Sequence, residues 1–339
     1  MEPSPLPLTA PLVDRFARAI TYLRLSVIDR CDLRCTYCMP ERQVFLPKAE
    51  VLSLEELYRL SRGFMARGVR KIRLTGGEPL MRRDMVELAQ ALGRHIGSDL
   101  DELTLTTNAT HLATHAQALA AAGVRRVNIS LDTLDPERFA RIARRDALGQ
   151  VMAGIAAARA AGMAVKINTV ALKGENEEEI PDLIAWAHGQ GFELTLIEVM
   201  PLGAVERDRY DHFLPLSAVR ERLEQRWTLS PEPHRSGGPA RYVRVAQTGG
   251  RLGFITPLTD NFCEGCNRVR VTATGQLFAC LGGREQVDLR AALRSAEPEA
   301  VLDQALNEAM RIKPERHHFA ISAPGEAPAL ARHMSMTGG

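Results

Sequence analysis

The stretch Tyr22-Leu-Arg-Leu-Ser-Val-Ile-Asp-Arg-Cys-Asp-Leu-Arg-Cys-Thr-Tyr-Cys38 decides how the rest of this chain is read. Its opening alternates apolar Leu23, Leu25 and Val27 with polar Arg24 and Ser26, which predicts a β-strand over Tyr22–Ile28. Its close places Cys31, Cys35 and Cys38 in a C-x3-C-x2-C spacing directly after that strand. Four soft sulfur ligands would complete a structural zinc or iron–sulfur site. Three leave one iron of a four-iron cluster without a protein ligand, open to a molecule that reacts there. Zinc is the competing reading and would need a fourth ligand from His111 or a later cysteine. Zinc sites favour paired C-x2–4-C spacings, and an x3 gap is unusual among them.

Outward from this stretch, short β-rich runs alternate with longer helical patterns. Strands are predicted at Lys71–Thr75, Leu103–Thr107, Arg126–Leu131, Val165–Val170 and Glu193–Val199. Ser53 opens a helix with Glu56 three residues on, the pattern of a capping box. Further helical patterns run near Arg83–Ile96, His111–Ala122, Gln150–Ala161 and Glu177–Gly189. Gly68, Gly123, Gly162 and Gly191 fall just past helix ends, where a left-handed cap is wanted. Six strand–helix units predict a parallel α/β sheet with right-handed crossovers, an incomplete (β/α)6 barrel rather than a full eight-stranded one.

The strands carry a second message. A parallel strand buried on both faces reads as a nearly continuous apolar run. Several of these alternate instead. Arg24 and Ser26 share one parity, as do Lys71, Arg73 and Thr75, and Thr104, Thr106 and Asn108. So do Asn128, Ser130 and Asp132, then Lys166 and Asn168, then Glu198 and Met200. If the sheet curls, these polar sets line one concave surface suited to a charged ligand. A half-solvated flat sheet is the plainer alternative.

Composition sets bounds on the class. The 339 residues are 45% hydrophobic and 25% charged with a formal net charge of +2, an ordinary globular balance that opposes non-specific nucleic-acid binding. No run is long and apolar enough for a membrane span. The start, MEPSPLPLTAPLVDRF, lacks a basic-then-apolar pattern, so a cytoplasmic protein with a flexible leader over 1–15 is expected. The six cysteines cluster as 31/35/38 and 263/266/280, which favours ligation over disulfides. A Pro- and Gly-rich run at 231–239 marks a boundary, giving a barrel over 16–230 and a C-terminal unit over 231–339. Within that unit, strands are expected at Arg241–Val245, Arg251–Thr256, Arg268–Ala273 and Gln276–Cys280, helices at Asp288–Leu293 and Pro298–Ile312, and a flexible end from Met334.

Two further motifs bear on chemistry. Thr75-Gly-Gly-Glu-Pro79 follows a strand, and its glycines let a ligand approach the backbone while free amides can take a carboxylate. Cys263-x2-Cys266-x13-Cys280 is a second set of three, enclosing Asn267-Arg268-Val269-Arg270. A zinc knuckle with a borrowed ligand is its plain reading. A second cluster with one open iron would instead act as a substrate-binding Lewis acid. Arg268 and Arg270 share a strand face and offer fork-shaped donors for phosphate oxygens.

The C-x3-C-x2-C loop with Tyr37 before its last cysteine, the Gly-Gly-Glu-Pro turn and the second triplet together resemble the GTP 3′,8-cyclases, the radical S-adenosylmethionine (SAM) family of the first step of molybdenum cofactor biosynthesis. The resemblance spans nearly the whole chain, from Tyr22 to the terminal Gly338-Gly339. It implies an incomplete radical-SAM barrel closed by a C-terminal iron–sulfur domain, and a lyase-type enzyme. Cys31, Cys35 and Cys38 would hold the SAM-binding [4Fe-4S] cluster, and Cys263, Cys266 and Cys280 a second one whose open iron meets guanine. Tyr37, Gly77, Ser130 and Met200 match positions that contact SAM. Arg24, Arg73, Thr106, Lys166, Arg268, Val269 and Arg270 match the GTP-contacting set. Arg268, Arg270, Gly338 and Gly339 would serve catalysis, the two glycines by reaching into the site.

The implied reaction starts with one-electron cleavage of SAM to a 5′-deoxyadenosyl radical. That radical takes the ribose 3′-hydrogen of GTP, and closure onto C8 with reduction gives 3′,8-cyclo-7,8-dihydro-GTP. The implied partners are a flavodoxin- or ferredoxin-like electron donor and, functionally, cyclic pyranopterin monophosphate synthase; a homodimer or a monomer is expected. Neither membrane nor nucleic acid enters as a partner. One departure is visible: Thr106-Thr-Asn-Ala109 stands where the family often has Thr-Thr-Asn-Gly, so no positive φ is expected at Ala109. The remaining alternatives are a peptide-modifying radical-SAM enzyme with an auxiliary cluster and a zinc-dependent nucleic-acid-binding protein. The enclosed arginines oppose the first and the near-neutral charge opposes the second.

Overall fold

A computed structural model of the chain describes residues 10–206 and 208–338. Six parallel strands come first: β1 (Tyr22–Ser26), β2 (Lys71–Thr75), β3 (Glu102–Thr107), β4 (Arg126–Ser130), β5 (Ala164–Ala171) and β6 (Glu193–Glu198). The C-terminal region adds β7 (Leu229–Glu232), β8 (Arg241–Val245), β9 (Arg251–Ile255), β10 (Arg268–Val271), β11 (Gln276–Phe278) and β12 (Gln286–Asp288). Among the described residues these form one sheet, ordered β12-β11-β10-β1-β2-β3-β4-β5-β6-β9-β8-β7. β9 pairs in parallel with the free edge of β6, and β10 pairs in parallel with the free edge of β1. Each then turns to an antiparallel neighbour, β8 or β11, rather than to the other. The result is an open barrel whose two edges both come from the C-terminal segment. The 256–267 connection spans the opening and carries Cys263 and Cys266.

Local signals explain the crossovers. Ser53 and Glu56 form a reciprocal capping box on Leu54–Ala66. Gly68, Gly123, Gly162 and Gly191 all take positive φ just beyond helix ends. The helix Pro136–Ala143, which the periodicity reading missed, starts where Asp135 accepts from Arg138 N with proline at the first turn. No helix among the described residues is long and apolar enough to cross a membrane.

The ladders sort the strand faces. Leu23, Leu25, Ile72, Leu74, Leu105, Val127, Ile129, Ile167, Leu194 and Leu196 are fully buried in the core that the helices cover. The opposite face is polar. Arg24 lies beside Arg73 on one side and Arg270 on the other, Thr106 beside Asn128, Asn128 beside Lys166, and Ser130 beside Asn168. The curled sheet therefore carries its polar residues inward, as the alternation predicts.

Several expectations are corrected. β6 pairs Thr195 with Asn168 and Ala171 with Glu198, so its inner face is Glu193, Thr195 and Ile197. Glu198 instead accepts from Leu216 N (3.2 Å), Leu258 N (3.0 Å) and Thr259 Oγ1 (2.5 Å), which ties together the loops after β6 and β9. Val269 faces the core, registered with Leu23, so its side chain lies on the strand side opposite Arg268 and Arg270. Residues 10–15 are not a loose leader: Leu12 is 1% exposed and donates from its amide to Arg67 O. The chain end is also packed, with a short helix Met334–Thr337 that buries Ser335 and Thr337. Ala109 does take a positive φ, 65°, and is wholly buried.

Candidate active site

The C-terminal ends of the strands hold one cavity, lined by Cys31, Cys35, Cys38, Thr75, Thr106 and Ser130 among others. Tyr37, Gly77 and Met200 line it too. The cysteine loop is seated on the end of helix Pro136–Ala143, with Arg34 N donating to Ala143 O (2.9 Å) and Thr36 N to Ile142 O (3.0 Å). Tyr37 donates its hydroxyl to Asp132 Oδ2 (2.7 Å), and Asp132 Oδ1 accepts from Val170 N (2.9 Å). Asn108 Nδ2 reaches Cys31 Sγ (3.7 Å) and Asp32 Oδ1 (2.8 Å). Burial pushes the Cys31 and Cys35 thiols well up and Cys38 to about 11. Such thiols stay protonated until a metal displaces the proton. Among the described residues no three His, Cys, Asp or Glu side chains converge as a single ion requires. Three thiols spread around one cavity suit a wider, polynuclear group better than zinc.

The Gly-Gly-Glu-Pro turn works differently from its sequence reading. A Cβ on Gly77 would lie 2.2 Å from Arg30 O, and one on Gly76 2.4 Å from Ile28 O. Gly77 N and Glu78 N donate to Ile28 O and Arg30 O, so neither amide is free for a carboxylate. The glycines are needed because the two loops run in direct contact. Glu78, fully buried, accepts from Thr107 Oγ1 (2.7 Å), Asn108 N (2.7 Å) and Leu80 N (3.0 Å). It thereby fixes the turn that aims Asn108 at Cys31.

A second cavity adjoins the first, and Ile197, Met200 and Met334 line both. Its other walls include Arg24, Arg268, Arg270, Cys263, Cys266 and Cys280. Lys313 is 1% exposed and donates to Cys266 Sγ (3.7 Å), Arg268 O (3.1 Å) and Ala279 O (2.5 Å). Burial raises the Cys266 thiol, but Arg268 and Lys313 outweigh it and bring it down to about 7. A soft thiolate is thus available there near neutral pH.

Deeper in the barrel, burial and crowding act on the cations. Burial first, then Arg270, holds Arg24 well below its ordinary range, and burial with Arg268 brings Arg270 to about 9. Burial, then Arg73 and Arg126, brings Lys166 to about 7. Among the described residues Arg24, Arg73, Lys166, Arg268 and Arg270 form no salt bridge with a carboxylate. Arg24 Nε and Nη2, Arg73 Nε and Thr106 Oγ1 are buried without a hydrogen-bond partner. Uncompensated buried charge of this kind costs several kcal/mol per ion, so the lumen is built for an anion. Gly338 O accepts from Arg270 Nη1 (2.8 Å), which brings the chain end onto the same arginine; Gly339 lies outside the described residues.

The comparisons with known proteins agree. A Radical SAM superfamily model matches residues 25–187, and a Molybdenum Cofactor Synthesis C model matches 192–319. The chain is 71% identical over 328 residues to the GTP 3′,8-cyclase of Erythrobacter litoralis (strain HTCC2594), covering 97% of this chain and 98% of that one. It is 60% identical to that of Rhizobium meliloti (strain 1021), over 98% and 95% of the two chains. The chain belongs to the GTP 3′,8-cyclase family. Among solved structures, Streptococcus suis SuiB bound to S-adenosylmethionine matches with a TM-score of 0.61 at 17% identity, covering 87% of this chain and 69% of that one. That likeness concerns the fold.

In this member of the GTP 3′,8-cyclase family, the residues expected at the SAM site share the first cavity with Thr106, while Arg24, Arg268 and Arg270 share the second. Arg73 and Lys166 lie farther down the lumen. Sequence reading missed Asn108 as a sulfur contact, and also Asp132 and Lys313. Asn108 and Asp132 had the right parity at strand ends. Lys313 gave no local signal, since a lone lysine after a helix usually faces solvent.

Proposed function

We propose that this chain converts GTP to 3′,8-cyclo-7,8-dihydro-GTP for molybdenum cofactor biosynthesis, as a radical-SAM lyase. The observation that carries the reading is the unpaired cationic lumen joining two cavities, each walled by three cysteines. Cys31, Cys35 and Cys38 fit the SAM-binding [4Fe-4S] cluster, with Tyr37, Gly77, Ser130 and Met200 around SAM. Cys263, Cys266 and Cys280 fit a second [4Fe-4S] cluster that takes the guanine. When bound, the first cluster and SAM supply one-electron hydrogen abstraction at the ribose 3′-carbon. The chain's own task is placement. Arg24, Arg73, Thr106, Lys166, Arg268 and Arg270 neutralise and orient the triphosphate, where an ångström of misplacement costs orders of magnitude in rate. The Gly338 carbonyl holds Arg270 from the other side. Met200 and Met334 wall both cavities and keep water from the reacting carbon.

A flavodoxin- or ferredoxin-like protein supplies the electron, and cyclic pyranopterin monophosphate synthase consumes the product. The test is an anaerobic assay of reconstituted protein with SAM and a strong reductant, with and without GTP, read by mass spectrometry. GTP-dependent 5′-deoxyadenosine and a product isobaric with GTP are the expected result. SAM cleavage that ignores GTP would remove the substrate assignment.

A further inference from the structure

The floor of the cationic lumen is made by the connection between β7 and β8. His234, Ser236 and Gly237 line an open cavity at the N-terminal ends of the strands together with Tyr22, Lys71 and Arg126. Tyr242 enters from β8 opposite Gly253 of β9. A Cβ on Gly253 would sit 3.0 Å from Tyr242 Cε1 and 2.6 Å from Thr195 Oγ1, so glycine makes room for the ring. The Tyr242 hydroxyl accepts from Lys166 Nζ (2.6 Å) and donates to Ser236 Oγ (2.9 Å). The Lys166 ammonium also lies 5.0 Å from the Tyr242 ring centroid, a cation–π distance. Ser236 O accepts from Lys71 Nζ (2.8 Å), and Lys71 pairs with Glu102 at 2.6 Å. Arg126 pairs with the same carboxylate (2.6 Å). Below Lys166, Lys71 and Arg126 share the one carboxylate of Glu102. Among the described residues Lys166 pairs with no carboxylate, and its one hydrogen bond, to Tyr242, leaves two of its N–H groups free.

We propose that Tyr242, seated by Ser236, is a positioning residue that holds Lys166 for the terminal phosphate of the substrate and so makes the lumen selective for a triphosphate over a diphosphate. This rests on the reading that the lumen binds GTP. A shorter polyphosphate anchored at Arg268 and Arg270 stops above Lys166 and gains nothing from it. The groups facing Lys166 are Arg73, Lys71 and Arg126, which disfavour its charge, and Glu193 and Tyr242, which oppose them. As pH rises through about 7, Lys166 loses its proton and GTP affinity falls. Without the hydroxyl the ammonium loses its acceptor, and that fall begins at lower pH.

The experiment measures GTP and GDP affinity of the reconstituted holoenzyme by equilibrium dialysis from pH 6 to 9, for wild type and Tyr242→Phe. A hydrogen bond to a charged group sets the scale: about tenfold weaker GTP binding at pH 7.5, with GDP nearly unchanged and the GTP profile moved to lower pH. Equal losses for GTP and GDP, or no loss with full iron content, would overturn the proposal while leaving GTP binding intact. Wild-type protein that binds no GTP would remove the lumen reading and this inference together. If Tyr242→Phe does not fold, Ser236→Ala carries the same test, with a smaller GTP-selective loss expected and an unselective one contradicting it.

Discussion

Lys313 is an ammonium group enclosed by two carbonyls and a thiol, with no carboxylate among its partners. A buried cation in that setting is stable only beside negative charge. With the proposed second cluster in place, its three thiolates would provide it, and Lys313 is in direct contact with Cys266. Lys313→Met removes the charge and leaves Arg268 O and Ala279 O without a donor. The expected outcome is selective loss of the second cluster, leaving about four irons per chain rather than about eight, by iron and sulfide analysis. SAM binding at the first cluster should persist. Full iron content in the variant would show that Lys313 does no more than fill space.

At the scale of elements, the inner face of β1 to β5 was legible because parity is a local property, and the ladders confirm which residues sit side by side. Two things were not local. Glu198 is polar and adjacent to Met200 by parity, yet the register of β6 against β5 turns it away, and register depends on a partner strand 25 or more residues distant. Alanine disfavours the positive φ that Ala109 takes, but tertiary contacts override that preference. The helix Leu148–Ala160 brings Gly154 so close that a Cβ there would lie 2.3 Å from Ala109 O. Glu78 clamps Thr107 and Asn108 on the other side. The turn is held between these two contacts, and a left-handed alanine costs roughly 1 kcal/mol against the packing that imposes it. Gly154→Ala should therefore destabilise by about 2 kcal/mol through overpacking and push the turn outward. Asn108 would then leave Cys31, and the first cluster should be lost faster on exposure to air. A denaturation midpoint and an iron-loss rate both equal to wild type would contradict this account.

At the scale of the whole molecule, the C-terminal segment is part of the sheet rather than a lid on it. β9 and β10 extend opposite edges of the parallel array, and the connection between them carries two cysteines of the second triad. The two triads are therefore fixed to one continuous sheet, which sets their separation without a hinge. The last turn of the chain completes the enclosure. Met334 walls both cavities, and Gly338 reaches Arg270. Gly338 has φ 72°, and a Cβ there would lie 2.2 Å from Thr75 Cγ2 at the end of β2. Strain and collision act together at this position, and the chain end, which lies outside the sheet ladder, gives way before the strand does. Gly338→Ala should expel the tail and free Arg270 from its carbonyl. On the proposed reading GTP would still meet the arginines, so its affinity should change little. Turnover should fall by at least about tenfold, because Arg270 is no longer held in the reacting geometry. The decisive comparison is turnover against GTP affinity in protein of equal iron content. If both stay at the wild-type level, the chain end packs there without taking part.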